Sequence, residues 1–273
     1  MRRRAAVQWL CGSLLAGVAL AGLLADVLAP WPAERQFRDG FNAPPSRQFP
    51  LGTDELGRDR LSRLLHGTRV SILLAPAAAV LSVATAAVMG CVAAWLGGRT
   101  EQWMLASADL TLAVPWMFLL LTLRALLPLD APPAVALVAT FALLGLLGWA
   151  GPARTVRQAA CEALRAPYVL SARARGIGRL RLLGRHVLPN LRPVLAAQFW
   201  TALPAFVLAE ANLGIVGLGV PEPLPSWGTM LHELVSQAVQ GILVSSWWLM
   251  VPAGLVVLVV LLMQGLVPSE VKP

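Results

Sequence analysis

The sequence predicts an all-α, polytopic membrane protein with about six transmembrane helices and a helical loop on the cytoplasmic side. Of its 273 residues 57% are hydrophobic and only 13% charged, too apolar for an ordinary soluble domain. Six apolar stretches each reach the roughly 20 residues that a helix needs to cross a hydrocarbon core about 30 Å thick. They lack the period-2 alternation, in segments of about 10 residues, that an outer-membrane barrel would show.

The first stretch, 5–29, follows Arg2, Arg3 and Arg4. At about 25 residues it exceeds the roughly 7 to 15 of a signal-peptide core, so it reads as an uncleaved anchor. Segment 30–50 carries Pro30, Pro32, Pro44, Pro45 and Pro50 and reads as irregular. Beyond it, Leu61, Leu64 and Leu65 share a helical face opposite Arg60 and Arg63, which predicts a short interfacial helix before the second span at 70–97. The third and fourth spans fall at 105–128 and 131–151. The fifth and sixth fall at 193–215 and 243–267, with Trp247 and Trp248 in an interfacial belt. Pro76, Pro115, Pro204 and Pro252 sit inside four of these spans and predict kinks, which are tolerated where neighbours or a cavity satisfy the freed carbonyls. The chain divides into an N-terminal anchor with an external or interfacial segment, 1–69, and a transmembrane domain, 70–273, that contains the loop 154–190.

Basic residues are retained on the cytoplasmic side, so their distribution sets the orientation. With the N-terminus cytoplasmic, the inner segments hold fourteen: Arg2 to Arg4, Arg99, nine arginines from Arg154 to Arg192, and Lys272. The outer segments 129–132 and 216–242 hold none. Only 30–69 runs against the rule, with seven arginines beside five acids. The net charge of +8 lies mostly in a loop flanked by spans, where attraction to anionic lipid accounts for it without nucleic acid. Cys11, Cys91 and Cys161 have no paired spacing, so neither a disulfide framework nor a zinc site follows.

The loop is the most informative stretch. Pro167 suits a first helical position, Tyr168 to Arg175 are good helix formers, and Gly176 and Gly178 supply a left-handed stop. A second helix then runs from Arg179 to Leu188 and ends at Pro189, with Leu180, Leu183 and Val187 on its apolar face and Arg181 and Arg185 on another. The expected shape is two helices joined by a glycine bend across the inner membrane surface.

The run Tyr168-Val-Leu-Ser-Ala-Arg-Ala-Arg-Gly-Ile-Gly, followed by His186-Val-Leu-Pro-Asn190, resembles the EAA loop of binding-protein-dependent ABC permeases. Three further stretches resemble the C-type permease of the dipeptide, oligopeptide and nickel importers: Leu51-Gly-Thr-Asp-Glu-Leu-Gly-Arg-Asp59 with Ser62-Arg-Leu64, Ala108-Asp-Leu-Thr-Leu-Ala-Val-Pro115, and Gly217-Leu-Gly-Val-Pro-Glu-Pro-Leu-Pro-Ser-Trp-Gly-Thr-Met-Leu231. All four lie in the family's order and cover about residues 50–265. The resemblance implies a coupling helix seated on an ATPase subunit, carried here by Tyr168, Ser171, Ala172, Arg173, Ala174, Gly176 and Pro189. It also implies a heterodimer with a homologous permease subunit, two ATP-binding ATPase subunits, an external solute-binding protein, and import of peptides or similar small solutes; nickel or another solute is the alternative. Two departures stand out: Ser171 occupies the position of the acidic residue, and the tail Gln264-Gly-Leu-Val-Pro-Ser is shorter and less polar than the family's.

Lys272 is the only lysine and lies in no glycine-rich context, so the chain has no P-loop and any ATP hydrolysis belongs to another chain. No catalytic residue, cofactor or metal site is predicted; His66, His186 and His232 are scattered. Arg124 lies within snorkelling reach of the outer end of the third span, which leaves it either a snorkelling cation or a group on the solute path. Asp109 reads as a pairing or capping group. Glu210 with Asn212 is a candidate for the pathway or for subunit contact, since membrane acids face a cavity or a partner. Trp227, in a proline-rich segment, is a candidate gate or an interfacial anchor. An ion-coupled secondary transporter would need acids or coordinating carbonyls near mid-membrane, and a membrane enzyme a nucleophile with its base. Neither pattern is visible.

Overall fold

The computed structural model describes residues 2–126, 132–239 and 246–267; within them the side chains of 2–5, 123, 124, 179, 180 and 239 lie outside the description. Among the described residues every regular element is helical, with two isolated bridges, Gln36 to Arg58 and Thr53 to Asp59. This is the all-α class that the apolar stretches predict. α1 (Arg2–Leu23) and one further turn, α2 (Ala25–Leu28), lead into an irregular strap, residues 29–59.

Asp59 ends the strap with an extended backbone, and its carboxylate accepts from the Ser62 N–H at 2.8 Å. That cap starts α3 (Arg60–Leu96), 37 residues and about 55 Å long, well beyond a hydrocarbon core of about 30 Å. Residues 61–65 are therefore the first turns of the second span and not a separate interfacial helix. The expected division of faces does not hold either: Arg60 is 3% and Arg63 0% exposed and Leu64 is buried beside them, while Leu61 and Leu65 are only partly covered. Carboxylates from two other segments receive those guanidinium groups, which offsets the cost of burying them.

The third predicted span is not straight. α4 (Gly98–Ala113) and α5 (Trp116–Ala125) meet at 87°, because Pro115 forces Val114 into extended backbone at φ −80°, ψ 125°. α6 (Pro133–Leu147) and α7 (Ala150–Arg165) bend by 43° across Gly148 and Trp149, so the fourth span continues into the predicted loop. α8 (Pro167–Ala174) and α9 (Arg179–Leu182) follow, then one π-helical turn, Leu183–Val187, and α10 (Leu188–Ile215). The second loop helix thus does not stop at Pro189. The Leu188 N–H reaches back five residues to Leu183, and this widened turn carries the chain past the proline into the fifth span. Pro193 and Pro204 lie inside α10 and Pro76 inside α3, whereas Pro252 opens the last helix instead of interrupting it. α11 (Trp227–Val239) is short; a 3₁₀ turn, Trp247–Met250, then leads into α12 (Val251–Leu266).

Four helical runs are long and apolar enough to cross a bilayer, and six if each bent pair is one span. α3 packs on α6, α7 and α10; α10 packs on α11 and α12; α1 lies along α3 and α12. The main core joins Leu120, Leu144, Phe206, Trp227, Met230 and Val259 from five helices. The strap and α11 lie at one end of this bundle, where the head of α3 meets them through Arg60, and α8 lies at the other, beside Trp95 near the tail of α3.

Candidate functional site

At the loop end, Ala166 has extended backbone and Pro167 occupies the first turn of α8, as the sequence predicts. The helix ends in the two bonds of a Schellman motif: the Gly176 N–H donates to the Arg173 carbonyl at 3.0 Å and the Ile177 N–H to the Ala172 carbonyl at 3.3 Å. Gly176 supplies the left-handed residue, at φ 76°; Gly178 is not left-handed, because one such residue completes the turn. Ile177 then packs back on Val169, Ala172 and Leu182, the contact that usually accompanies this ending.

Val169 and Ala172 are buried, so α8 is seated on its own bundle by one face. Tyr168, Leu170, Ser171, Arg173, Ala174 and Gly176 remain exposed. The Tyr168 hydroxyl accepts from Asn190 Nδ2 at 2.7 Å, tying α8 to the first turn of α10 beside half-buried Pro189. Ser171 caps nothing outside its helix; its hydroxyl donates to the Pro167 carbonyl at 2.8 Å. Nearby, Asp109 pairs with Arg154 and Glu101 with Arg157, joining α4 to α7.

Along the middle of the bundle, Thr201, Ala205, Leu208 and Asn212 form an exposed stripe on α10 at helical spacing. Two cavities of about 320 and 330 Å³ lie on it. One, nearer the loop end, is lined by Gln198, Thr201 and Thr155; the other, nearer the strap, by Leu208 and Asn212. Trp116 and Ala205 line both, and the described lining carries no charged side chain.

Glu210 does not share the Asn212 site. It is fully buried on the opposite side of α10, accepting from the Gly228 N–H at 3.2 Å and the Ser71 hydroxyl at 3.4 Å. Trp227 is 0% exposed, and its indole N–H donates to Thr68 at 3.0 Å. Both residues fasten the first turn of α11 to α3 and α10. Contact here is backbone on backbone: a Cβ on Gly214 would overlap Gly228. The side chain of Arg124 lies outside the described residues.

The strap end holds a cluster that reading the sequence did not assemble. Arg58 reaches Asp54 at 2.7 Å and Glu222 at 2.6 Å; Arg63 reaches Glu222 at 2.9 Å and Glu233 at 3.4 Å; Arg60 reaches Glu233 at 3.1 Å. These bonds clasp the strap and the head of α3 to the segment around α11. Burial pushes the Glu222 carboxyl up, but the Arg63 and Arg58 hydrogen bonds outweigh it and hold the group below its ordinary value. At Glu233 burial wins over Arg63 and Arg60, and the carboxyl is raised. The signal in the sequence was the charge anomaly itself, seven arginines where the orientation rule allows few. Arg58, Arg60 and Arg63 are spent within the protein, and Arg69 pairs with Asp26 at 2.7 Å.

Residues 86–270 match the family described as the binding-protein-dependent transport system inner membrane component. The chain is 34% identical over 261 residues to the di/tripeptide transport system permease protein of Pseudomonas aeruginosa, covering 93% of this chain and 82% of that relative. It is 34% identical to the oligopeptide transport system permease protein of Bacillus subtilis, with 78% and 67% covered. The dipeptide transport system permease protein of the same organism is 30% identical, with 83% and 68% covered.

Proposed function

The chain belongs to the family of binding-protein-dependent transport system inner membrane components, permease subunits of ABC importers, and on that premise we propose that it moves di- or oligopeptides across the cytoplasmic membrane. The relatives named for dipeptides, di/tripeptides and oligopeptides support the substrate class. In this reading the chain pairs with a homologous permease subunit, two ATPase subunits and an external solute-binding protein. α8 and the N-terminus face the cytoplasm, and the strap and α11 face outward.

The carrying observation is the two-faced α8. Val169 and Ala172 lock it to the bundle while Tyr168, Leu170 and Arg173 stay open, a surface suited to a groove on an ATPase subunit. Closure of the ATPases pushes α8; the Tyr168 to Asn190 bond and the Ile177 packing pass that push to α10; and the cavities along α10 change access. Tyr168, Ser171, Ala172, Arg173, Ala174, Gly176 and Pro189 form the coupling element, and Asn212 lies on the solute path. Glu210 and Trp227 hold the outer segment in place.

Purification of the chain alone and with its candidate ATPase subunits tests this. Phosphate release is expected only from the complex, and Leu170→Glu should abolish co-purification while leaving membrane insertion intact. Cysteines placed at Arg165 and Val235, both exposed, report orientation. A membrane-impermeant maleimide added to intact cells should label 235 and not 165. Hydrolysis by the chain alone, or an undiminished complex with Leu170→Glu, would overturn the reading.

A further inference from the structure

The two cavities along α10 are stacked in line, and Trp116 stands between them at the point where the helices break. Gln198 in the loop-side chamber and Asn212 in the strap-side chamber are fourteen residues apart on α10, about 21 Å at helical rise. Trp116 follows the 87° break at Pro115. Its ring lies 5.7 Å from that of Phe206, two residues past Pro204. Phe206 in turn presses on Gly148, where α6 and α7 bend: a Cβ there would come within 2.6 Å of the Phe206 ring and 3.0 Å of the Ser82 hydroxyl. Two broken helix pairs and the continuous α10 therefore meet at one aromatic plate.

The same place holds two unsatisfied polar groups. The Trp116 indole N–H and the Ser82 hydroxyl are both buried without a hydrogen-bond partner. A buried donor left unpaired carries a penalty that a well-packed protein rarely accepts without a use for it. At this joint of two bent helix pairs no hydrogen bond holds the ring, and a rotation of the Trp116 side chain would carry the donor toward one chamber or the other.

Resting on the peptide reading above, we propose that Trp116 is the partition of the solute path on this subunit, and that its indole N–H is the donor a passing solute meets. A peptide backbone supplies the matching acceptor carbonyls at every residue. The neutral lining of both chambers fits a solute whose side chains vary, because no fixed charge selects among them. The plate sets passage by width, and the N–H recognises what all peptides share.

The test uses the assembled transporter carrying Cys11→Ala, Cys91→Ala and Cys161→Ala, with Thr201→Cys or Asn212→Cys as reporter. In inside-out vesicles an impermeant thiol reagent should label Thr201→Cys at least about tenfold faster than Asn212→Cys. Trp116→Ala should bring the two rates within about twofold. Trp116→Phe keeps the plate and loses the donor: the labelling ratio should persist, ATP hydrolysis should continue, and peptide uptake at saturating peptide should fall about fivefold, the loss of one neutral hydrogen bond. An unchanged labelling ratio in Trp116→Ala, or wild-type uptake by Trp116→Phe, overturns the inference. A wild-type complex that accumulates no peptide, yet opens to the reagent on Trp116→Ala, sinks the substrate reading and leaves the partition standing.

Discussion

Replacing Arg63 with methionine should loosen the segment around α11 while the spans stay folded. Arg63 is completely buried and touches Glu222 at 2.9 Å, Glu233 at 3.4 Å and Asp54 at 3.6 Å. Stripping a buried ion pair of one partner costs about 3 to 5 kcal/mol when the other charge is left alone. Here no acid is left alone: Arg58 still serves Asp54 and Glu222, and Arg60 still serves Glu233. The Glu222 side chain is also 49% exposed, so solvent screens its share. Methionine refills most of the volume. The remaining loss is one charge-assisted hydrogen bond of good length, to half-exposed Glu222, and one long contact to Glu233; with solvent screening the first, it comes to about 1 to 2 kcal/mol, or roughly 5- to 30-fold in the opening equilibrium of residues 217–239. Hydrogen exchange measured by mass spectrometry on the complex in lipid discs reads that equilibrium segment by segment. Exchange should rise in 217–239 and in the strap and stay fixed in α6 and α7. A rise below about twofold in α11, or an equal rise in all helices, would refute the assignment of the clasp as the lock on this segment.

Three further outcomes follow from other contacts. Gly214→Ala drives a methyl into the Gly228 backbone and should cost about 1 to 3 kcal/mol, visible as a lower melting temperature of the complex, whereas Gly254→Ala, with open space around it, should leave the melt unchanged. Gly176→Val strains a left-handed residue by about 1 to 2 kcal/mol without any clash, so the chain should insert at normal levels yet lose uptake and ATPase pull-down, with Ala174→Ser milder. Because Glu222 is held below the ordinary glutamate value of 4.5, its contribution is present above that value and fades as pH falls through the lower folded value; Glu233, raised, acts in the opposite sense. Acidification below about pH 4.3 should therefore lower the protection of 217–239 in the wild type, taken against the intrinsic exchange rate at each pH, and Glu222→Gln should flatten that response.

What the sequence made legible was what local chemistry decides. Pro167 and Gly176 bracket α8 because a proline suits a first turn and a left-handed residue suits a stop, and both act within a few residues. Apolar length located the spans, yet it was blind to where they bend: Pro115 breaks its helix almost at a right angle while Pro76 and Pro204 are carried inside theirs. Whether a proline bends or breaks a helix depends on the neighbours that take up the freed carbonyls. Arg60 and Arg63 were misplaced for the same reason, since their burial is decided by Glu222 and Glu233, about 160 to 170 residues away. Glu210 and Asn212 differ by two positions, and two positions on a helix, about 200° of rotation, put one in the core and the other on the cavity.

The single π turn at Leu183–Val187 fixes the angular phase between two working surfaces. An extra residue in one helical turn rotates everything beyond it by about 100°. α9, which is packed against the α8 bend through Leu182, and the stripe from Thr201 to Asn212 therefore belong to one rod with a built-in offset. Were those five residues wound as ordinary helix, either the α8 surface would turn away from its neighbour or the stripe would rotate off the cavities. The length of this segment, more than its side chains, is what clocks the rod.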